Sequence, residues 1–236
     1  MRVTVVGSSP AWPNPGSAHA GYLVEASDRR LLVDCGPGVL ARLREREPWP
    51  AVDAIAITHA HLDHCGDLVP WLWGRVMGPA QGGEPPALWL PPGAREALER
   101  LAGPGMLERG FAVHEYAAGG PFEAAGLRVE PVRLRHFTVA AFGLRIHGDG
   151  RTAAFTGDTG ETDAVVDLAR DADLLVIEAT LADDDPDAGD GHLSGAQALA
   201  YAGRANARRV LLTHRPAELP APEGAEVATD GLVVEL

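Results

Sequence analysis

The chain has 236 residues, a hydrophobic share of 46% and a formal net charge of −13. That length and apolar content suit one domain with a full core, and no apolar run reaches the ~18 residues of a membrane span. The acidic balance argues against gripping nucleic acid by its phosphates, and two cysteines, Cys35 and Cys65, are too few for a disulfide framework.

Strands are expected at 2–6, 20–25 and 30–35, the first reading as a strand rather than a leader, so the expected location is the cytoplasm. Gly36-Pro37-Gly38 opens a helix over 39–46. Strand 53–58 leads into a His-rich run, and residues 66–76 carry Leu68, Val69, Leu72 and Val76 at helical spacing. A Gly/Pro-rich stretch, 78–93, encloses a short strand at 87–90 and precedes a helix at 94–102. Strands at 111–116, 126–134, 141–147 and 151–157 follow, then a helix at 162–170 and a strand at 173–178. Ser194-Gly195-Ala196-Gln197 has the form of a capping box and starts a helix to Asn206. A strand at 208–213 and a final pair near 225–235 close the chain, and residues 1–236 read as one domain without a linker. The two similar halves suggest two sheets packed face to face with helices outside, a four-layer α/β/β/α sandwich.

The run Thr58-His59-Ala60-His61-Leu62-Asp63-His64 follows the apolar Ala54-Ile55-Ala56-Ile57. Imidazole and carboxylate are the ligands that borderline divalent cations prefer. A turn after a strand can aim His59 and His61 at one metal and Asp63 and His64 at a second. Two metals roughly 3.5–4 Å apart clamp the attacking and the leaving oxygen of a hydrolysis. A His-rich surface loop would show no such order of ligands. Cys65, directly after His64, reads as a small packing residue.

The pattern His-x-His-x-Asp-His resembles the signature of the metallo-β-lactamase superfamily, which adds a His, a bridging Asp and a final His downstream. His136 after the strand 126–134, Asp158 in Phe155-Thr156-Gly157-Asp158-Thr159 and His214 at the end of Val210-Leu211-Leu212-Thr213-His214 stand in that order. The resemblance implies the four-layer sandwich and two divalent metal ions, with zinc first and manganese or iron suited by the same ligands. It also implies that His59, His61 and His136 hold one ion, Asp63, His64 and His214 the other, and Asp158 both. Coordination can lower the pKa of water from 15.7 to about 7, and Asp63 is placed to orient or deprotonate that water. A homodimer is what the resemblance suggests for assembly.

Glu178-Ala179-Thr180 with Gly191-His192-Leu193-Ser194 resembles the segment of ribonuclease Z and related phosphodiesterases in which a Glu supports a non-ligand His. His192 would then give a proton to the leaving oxygen and Glu178 would fix its tautomer. His19, His114 and His147 read as ordinary polar residues, His19 on a loop that could reach the site. Trp12, Trp71 and Trp73 could stack a base, with packing as their ordinary use.

The acidic stretch Asp183-Asp184-Asp185-Pro186-Asp187 with Asp190 reads as a solvated loop. The region 78–110 is short and poor in Lys, unlike the basic arm that ribonuclease Z uses to hold tRNA. The expected function is therefore a dinuclear metal-dependent phosphodiesterase acting on a small phosphodiester such as a 3′,5′-cyclic nucleotide. Ribonuclease Z-like cleavage of a tRNA 3′ end, hydrolysis of a thioester or lactone, and a non-catalytic metal-binding role are the alternatives.

Overall fold

The structure, a computed structural model, describes residues 1–185 and 190–236. It contains two seven-stranded sheets. The first holds β1 (Arg2–Gly7), β2 (Gly21–Ala26), β3 (Arg29–Val33), β4 (Ala54–Ala56), β5 (Ala87–Leu90), β6 (Ala112–Glu115) and, at its other edge, β14 (Val233–Glu235). The second runs β13 (Glu226–Val227), β12 (Val210–Thr213), β11 (Leu174–Glu178), β10 (Arg151–Phe155), β9 (Ala141–Gly148), β8 (Leu127–Leu134) and β7 (Phe122–Ala124). Helices α1 (Val39–Arg44), α3 (Leu68–Met77) and α4 (Ala94–Ala102) accompany the first sheet; α5 (Ala164–Ala169) and α6 (Gly195–Arg204) accompany the second. A short α2 (Leu62–Cys65) forms within the His-rich run itself.

Alternation along the strands produces the layers. On β3, Leu31 and Val33 enter the core between the sheets while Leu32 enters the core under the helices of the first sheet. On β11, Leu174 and Val176 face the first sheet while Leu175 and Ile177 pack with Leu168 and Tyr201 of α5 and α6. Successive side chains of a strand point to opposite faces, so strands apolar at every position are covered on both faces. Three apolar layers thus separate four layers of structure, and the fold is the expected α/β/β/α sandwich. Among the described residues, no helix is long and apolar enough to cross a membrane.

Several expected boundaries shift. The strands anticipated at 30–35 and 151–157 end at Val33 and Phe155. Asp34 and Gly157 then take positive φ values of 58° and 57°, which the extended ladder cannot contain. The helix anticipated over 66–76 begins at Leu68, because Asp67 stands at its N-terminus and accepts Leu40 N–H at 2.8 Å. Strand β7, which pairs antiparallel with β8, is not among the expected strands. The capping box at Ser194 forms with both of its bonds, Gln197 N to Ser194 Oγ at 3.3 Å and Ser194 N to Gln197 Oε1 at 2.9 Å.

The sheets are pinned together at the edge that bears the His-rich loop. Tyr22 Oη and Thr213 Oγ1 share a hydrogen bond of 2.7 Å between the two sheets, and Phe142 N donates to Thr58 O at 3.1 Å. Gly36 closes the same edge. A Cβ there would lie 1.9 Å from the backbone oxygen of Asp63, so the position tolerates hydrogen alone. Replacing Gly36 with Ala should displace the α2 turn and cost about 1–3 kcal/mol of stability. The check is a thermal melt with zinc binding measured in parallel; an unchanged Tm together with unchanged zinc affinity would contradict this packing.

Candidate metal centre

The candidate ligands all lie on segments that follow strands, gathered at one edge of the sandwich. His59 and His61 follow β4 and lead into α2, which carries Asp63 and His64; His136 follows β8, Asp158 follows β10 and His214 follows β12. His59, His64, His136, Asp158 and His214 are each at most 2% exposed. The structure brings all seven together as two clusters sharing Asp158: His59, His61, His136 and Asp158, and Asp63, His64, Asp158 and His214.

Asp158 divides its oxygens between the clusters. Oδ2 lies 3.7 Å from His59 Nε2 and 3.6 Å from His136 Nε2, while Oδ1 lies 3.1 Å from His64 Nε2 and 3.5 Å from His214 Nε2. Two donors bound to one tetrahedral zinc at about 2.1 Å stand roughly 3.4 Å apart. The separations are therefore those of a ligand shell. A second test is polar satisfaction: among the described residues, His59 Nε2, His64 Nε2 and Asp158 Oδ1 are buried without a hydrogen-bond partner, the His64–Asp158 approach lacking the alignment of a hydrogen bond. An unmet buried polar group costs about 1–3 kcal/mol. The donor set fits a pair of divalent cations, which would engage all three atoms.

The outer ring nitrogens fix the tautomers. His136 Nδ1 donates to Gly191 O at 2.7 Å and His64 Nδ1 donates to Asp34 Oδ2 at 2.8 Å. Thr180 Oγ1 donates to Glu178 Oε2 at 2.7 Å, so it accepts from His214 Nδ1 at 2.8 Å. Thr58 Oγ1 donates to Asp34 Oδ2 at 2.9 Å and accepts from His59 Nδ1 at 3.2 Å. Each of these four imidazoles keeps Nε2 for the interior, as metal-binding histidines do. His61 differs and turns Nδ1 inward, 3.0 Å from His136 Nε2.

Burial, followed by the charge of His64, drives the His59 pKa well below the ordinary imidazole value, and burial first lowers those of His61 and His136 as well. Neutral imidazoles are what metal binding requires. Burial opposes charge on His64 too, but Asp158 and Asp34 on either side outweigh it and raise its pKa well above normal. Burial works to raise Asp158, and the facing His214, His64 and His59 overcome it, holding the carboxyl well below its usual range. The field at this edge thus stabilises positive charge between ionised carboxylates.

His192 and Glu178 stand beside the clusters. Glu178, fully buried, ends β11 and accepts His192 Nδ1–H at 2.8 Å, Thr159 N–H at 2.9 Å and Thr180 Oγ1–H at 2.7 Å. His192 Nδ1 also lies 4.0 Å from Asp158 Oδ2. Burial disfavours the imidazolium of His192, but the hydrogen bond and charge of Glu178, then Asp158, outweigh it and raise its pKa to about 9. His192 opens onto a cleft of about 620 Å³ whose rim includes Arg135, Phe137 and Asp190.

Residues 29–215 match the family described as the Beta-lactamase superfamily domain. The chain belongs to the β-lactamase superfamily. An uncharacterized protein of Mycobacterium tuberculosis is 34% identical over 223 residues, covering 92% of this chain and 81% of the relative. Ribonuclease Z of Salinibacter ruber is 31% identical over 287 residues, covering 96% of this chain and 88% of the relative. The crystal structure of the metallo-β-lactamase fold protein YhfI from Bacillus subtilis superposes with a TM-score of 0.87 at 25% identity, covering 99% of each chain.

Other residues singled out in the sequence fall elsewhere. His19 is buried and bonds Pro10 O through Nδ1 at 2.8 Å, outside both clusters. His114 stacks on Trp89 at 4.5 Å and His147 bonds Thr152 Oγ1 at 3.1 Å. Trp71 is fully buried in the core under the helices, whereas Trp12 and Trp73 are exposed. Cys35 and Cys65 are buried free thiols, burial pushing the Cys65 pKa up to about 12. Of the acidic stretch, residues 186–189 lie outside the described residues; Asp183 accepts Ala196 N–H at the start of α6 and Asp190 pairs with Arg135 at 2.5 Å.

Two supporting residues escaped the sequence reading. Asp34 ends the apolar run Leu31-Leu32-Val33, and a carboxylate at the end of a buried strand was the available signal. Thr180 stood in the quoted Glu-Ala-Thr segment without a role. Because Asp34 orients His64, Asp34→Asn should weaken zinc binding by about 10–100-fold. Competition against a chelating dye measures this, and wild-type affinity in the variant would contradict the orienting role.

Proposed function

We propose that the protein is a two-metal hydrolase of small phosphodiesters, with 3′,5′-cyclic nucleotides as the substrate class. Its superfamily membership supports metal-dependent hydrolysis, and the phosphodiester reading is carried by one observation: the His192–Glu178 pair set beside the shared Asp158. His59, His61 and His136 with Asp158 would hold one ion, and Asp63, His64 and His214 with Asp158 the other. Bound there, a divalent pair supplies Lewis acidity and an activated water.

The protein's own groups supply the rest of the chemistry. Glu178 takes the Nδ1–H of His192, which leaves Nε2 to serve the substrate. As the P–O bond to the ribose breaks, Nε2–H gives its proton to the leaving oxygen, and a nucleoside monophosphate is released. Glu178, fully buried, accepts the Nδ1–H of His192 and so holds the ring in place before and after the transfer.

Ribonuclease Z-like cleavage of RNA is the second reading, favoured by the Salinibacter ruber relative. Against it stand the absence of any lysine from the sequence and a net charge of −13, since RNA binding draws much of its affinity from phosphate neutralisation. The decisive assay incubates zinc-loaded protein with cyclic AMP and with precursor tRNA, beside a chelator control. Chelator-sensitive conversion of cyclic AMP to AMP is expected; cleavage of the tRNA alone would overturn the small-substrate reading. His192→Ala should lower kcat by about 10²–10⁴-fold with zinc content unchanged, and an undiminished kcat would remove His192 from the proton-transfer step.

A further inference from the structure

Phe137 follows directly on His136, yet it is 61% exposed. Its backbone is in the left-handed region at φ 44°, a conformation that a bulky aromatic residue adopts only under constraint. Two contacts provide that constraint. Val139 N–H closes a turn onto His136 O at 3.0 Å. The ring also rests on Gly191, where a Cβ would come within 2.2 Å of the Phe137 Cζ atom. Gly191 is the residue whose carbonyl holds His136 Nδ1. One segment therefore seats both a candidate metal ligand and the exposed ring.

The ring is aimed at the chemistry. Its centroid lies 5.0 Å from that of His136 and 5.8 Å from that of His192, the latter pair edge-on at 75°. Its free surface lines the 620 Å³ cleft with Thr138, Leu181 and His192. Arg135 at this rim is paired with Asp190 at 2.5 Å. The cleft thus offers an aromatic surface beside an ion pair and the His192 imidazole.

We infer that Phe137 is a specificity-determining platform against which the base of a small nucleotide packs while its phosphodiester is held beside Asp158 and His192. The inference rests on the phosphodiesterase reading and names the residue that meets the base of such a substrate. Every base has a π-face that an aromatic side chain can cover, so the platform selects for a base without choosing among bases. Alanine replacement beneath a stacked base typically loses roughly 5- to 150-fold in binding.

The test compares wild type, Phe137→Ala and Phe137→Tyr, all zinc-loaded, on cyclic AMP and on methyl riboside 3,5-cyclic phosphate, which lacks a base. Phe137→Ala should lose about 5- to 150-fold in kcat/KM on cyclic AMP, chiefly through KM, and less than about threefold on the base-free substrate. Phe137→Tyr should restore the cyclic AMP value. Equal losses on both substrates, or no loss on either, would overturn the platform. Calorimetric Kd values for AMP and ribose 5-phosphate provide a readout independent of turnover. If no phosphodiester is hydrolysed but AMP binds more tightly than ribose 5-phosphate and loses that advantage in Phe137→Ala, the phosphodiesterase reading fails and the platform stands. If AMP has no advantage in wild type, the platform fails.

Discussion

The carboxylate of Asp158, buried among four imidazole Nε2 atoms, is the interaction on which this structure depends. Four carboxylates at this edge, Asp34, Asp63, Asp158 and Glu178, are each no more than 8% exposed. Burying an isolated carboxylate costs several kcal/mol even after relaxation, so each needs compensation. Asp34 receives it from Thr58 and His64, and Glu178 from His192, Thr159 and Thr180. Asp158 Oδ1 has no hydrogen-bond donor among the described residues. Its nearest partners are His64 and His214 at 3.1 and 3.5 Å, which makes it the natural seat of positive charge.

The sandwich makes that concentration of charge affordable by keeping it at a sheet edge. Three apolar layers hold the strands rigid, while the segments beyond β3, β4, β8, β10, β11 and β12 carry the polar groups. Ligands gathered just outside the carboxyl ends of strands recur in sheets of this kind. Three residues at this edge, Asp34, Phe137 and His214, have positive φ values of 58°, 44° and 56°. Such conformations persist where surrounding contacts over-determine them, and they cluster at functional sites. One chain of hydrogen bonds, His214 to Thr180 to Glu178 to His192, joins the second cluster to the cleft. The inner and outer parts of the site therefore share one buried carboxylate.

Much of this was legible in the sequence because its strongest signals are local. His59 to His64 lie within six positions, and a turn after an apolar run suffices to cluster them. The layered fold followed from strands apolar at successive positions and from the order of strands and helices. What stayed hidden depends on long-range pairing. The parallel register of Val33 with Ala56 sets Asp34 against Thr58 and His64, and nothing within the sequence around Asp34 states that pairing. The strand ends were overrun at Asp34 and Gly157 for the same reason: apolar character persists to the edge, and only the reversal of φ stops the ladder. Phe137 was not singled out in the sequence, since its ring rests on Gly191, far away in the chain.

The most direct test is a crystal structure of the zinc-loaded protein with anomalous diffraction recorded at the zinc edge. Two zinc peaks per chain are expected roughly 3.5–4 Å apart. His59, His61 and His136 should surround one peak, Asp63, His64 and His214 the other, with one oxygen of Asp158 on each. A single peak, or two peaks with Asp158 bound to neither or to one alone, would contradict the shared-carboxylate centre.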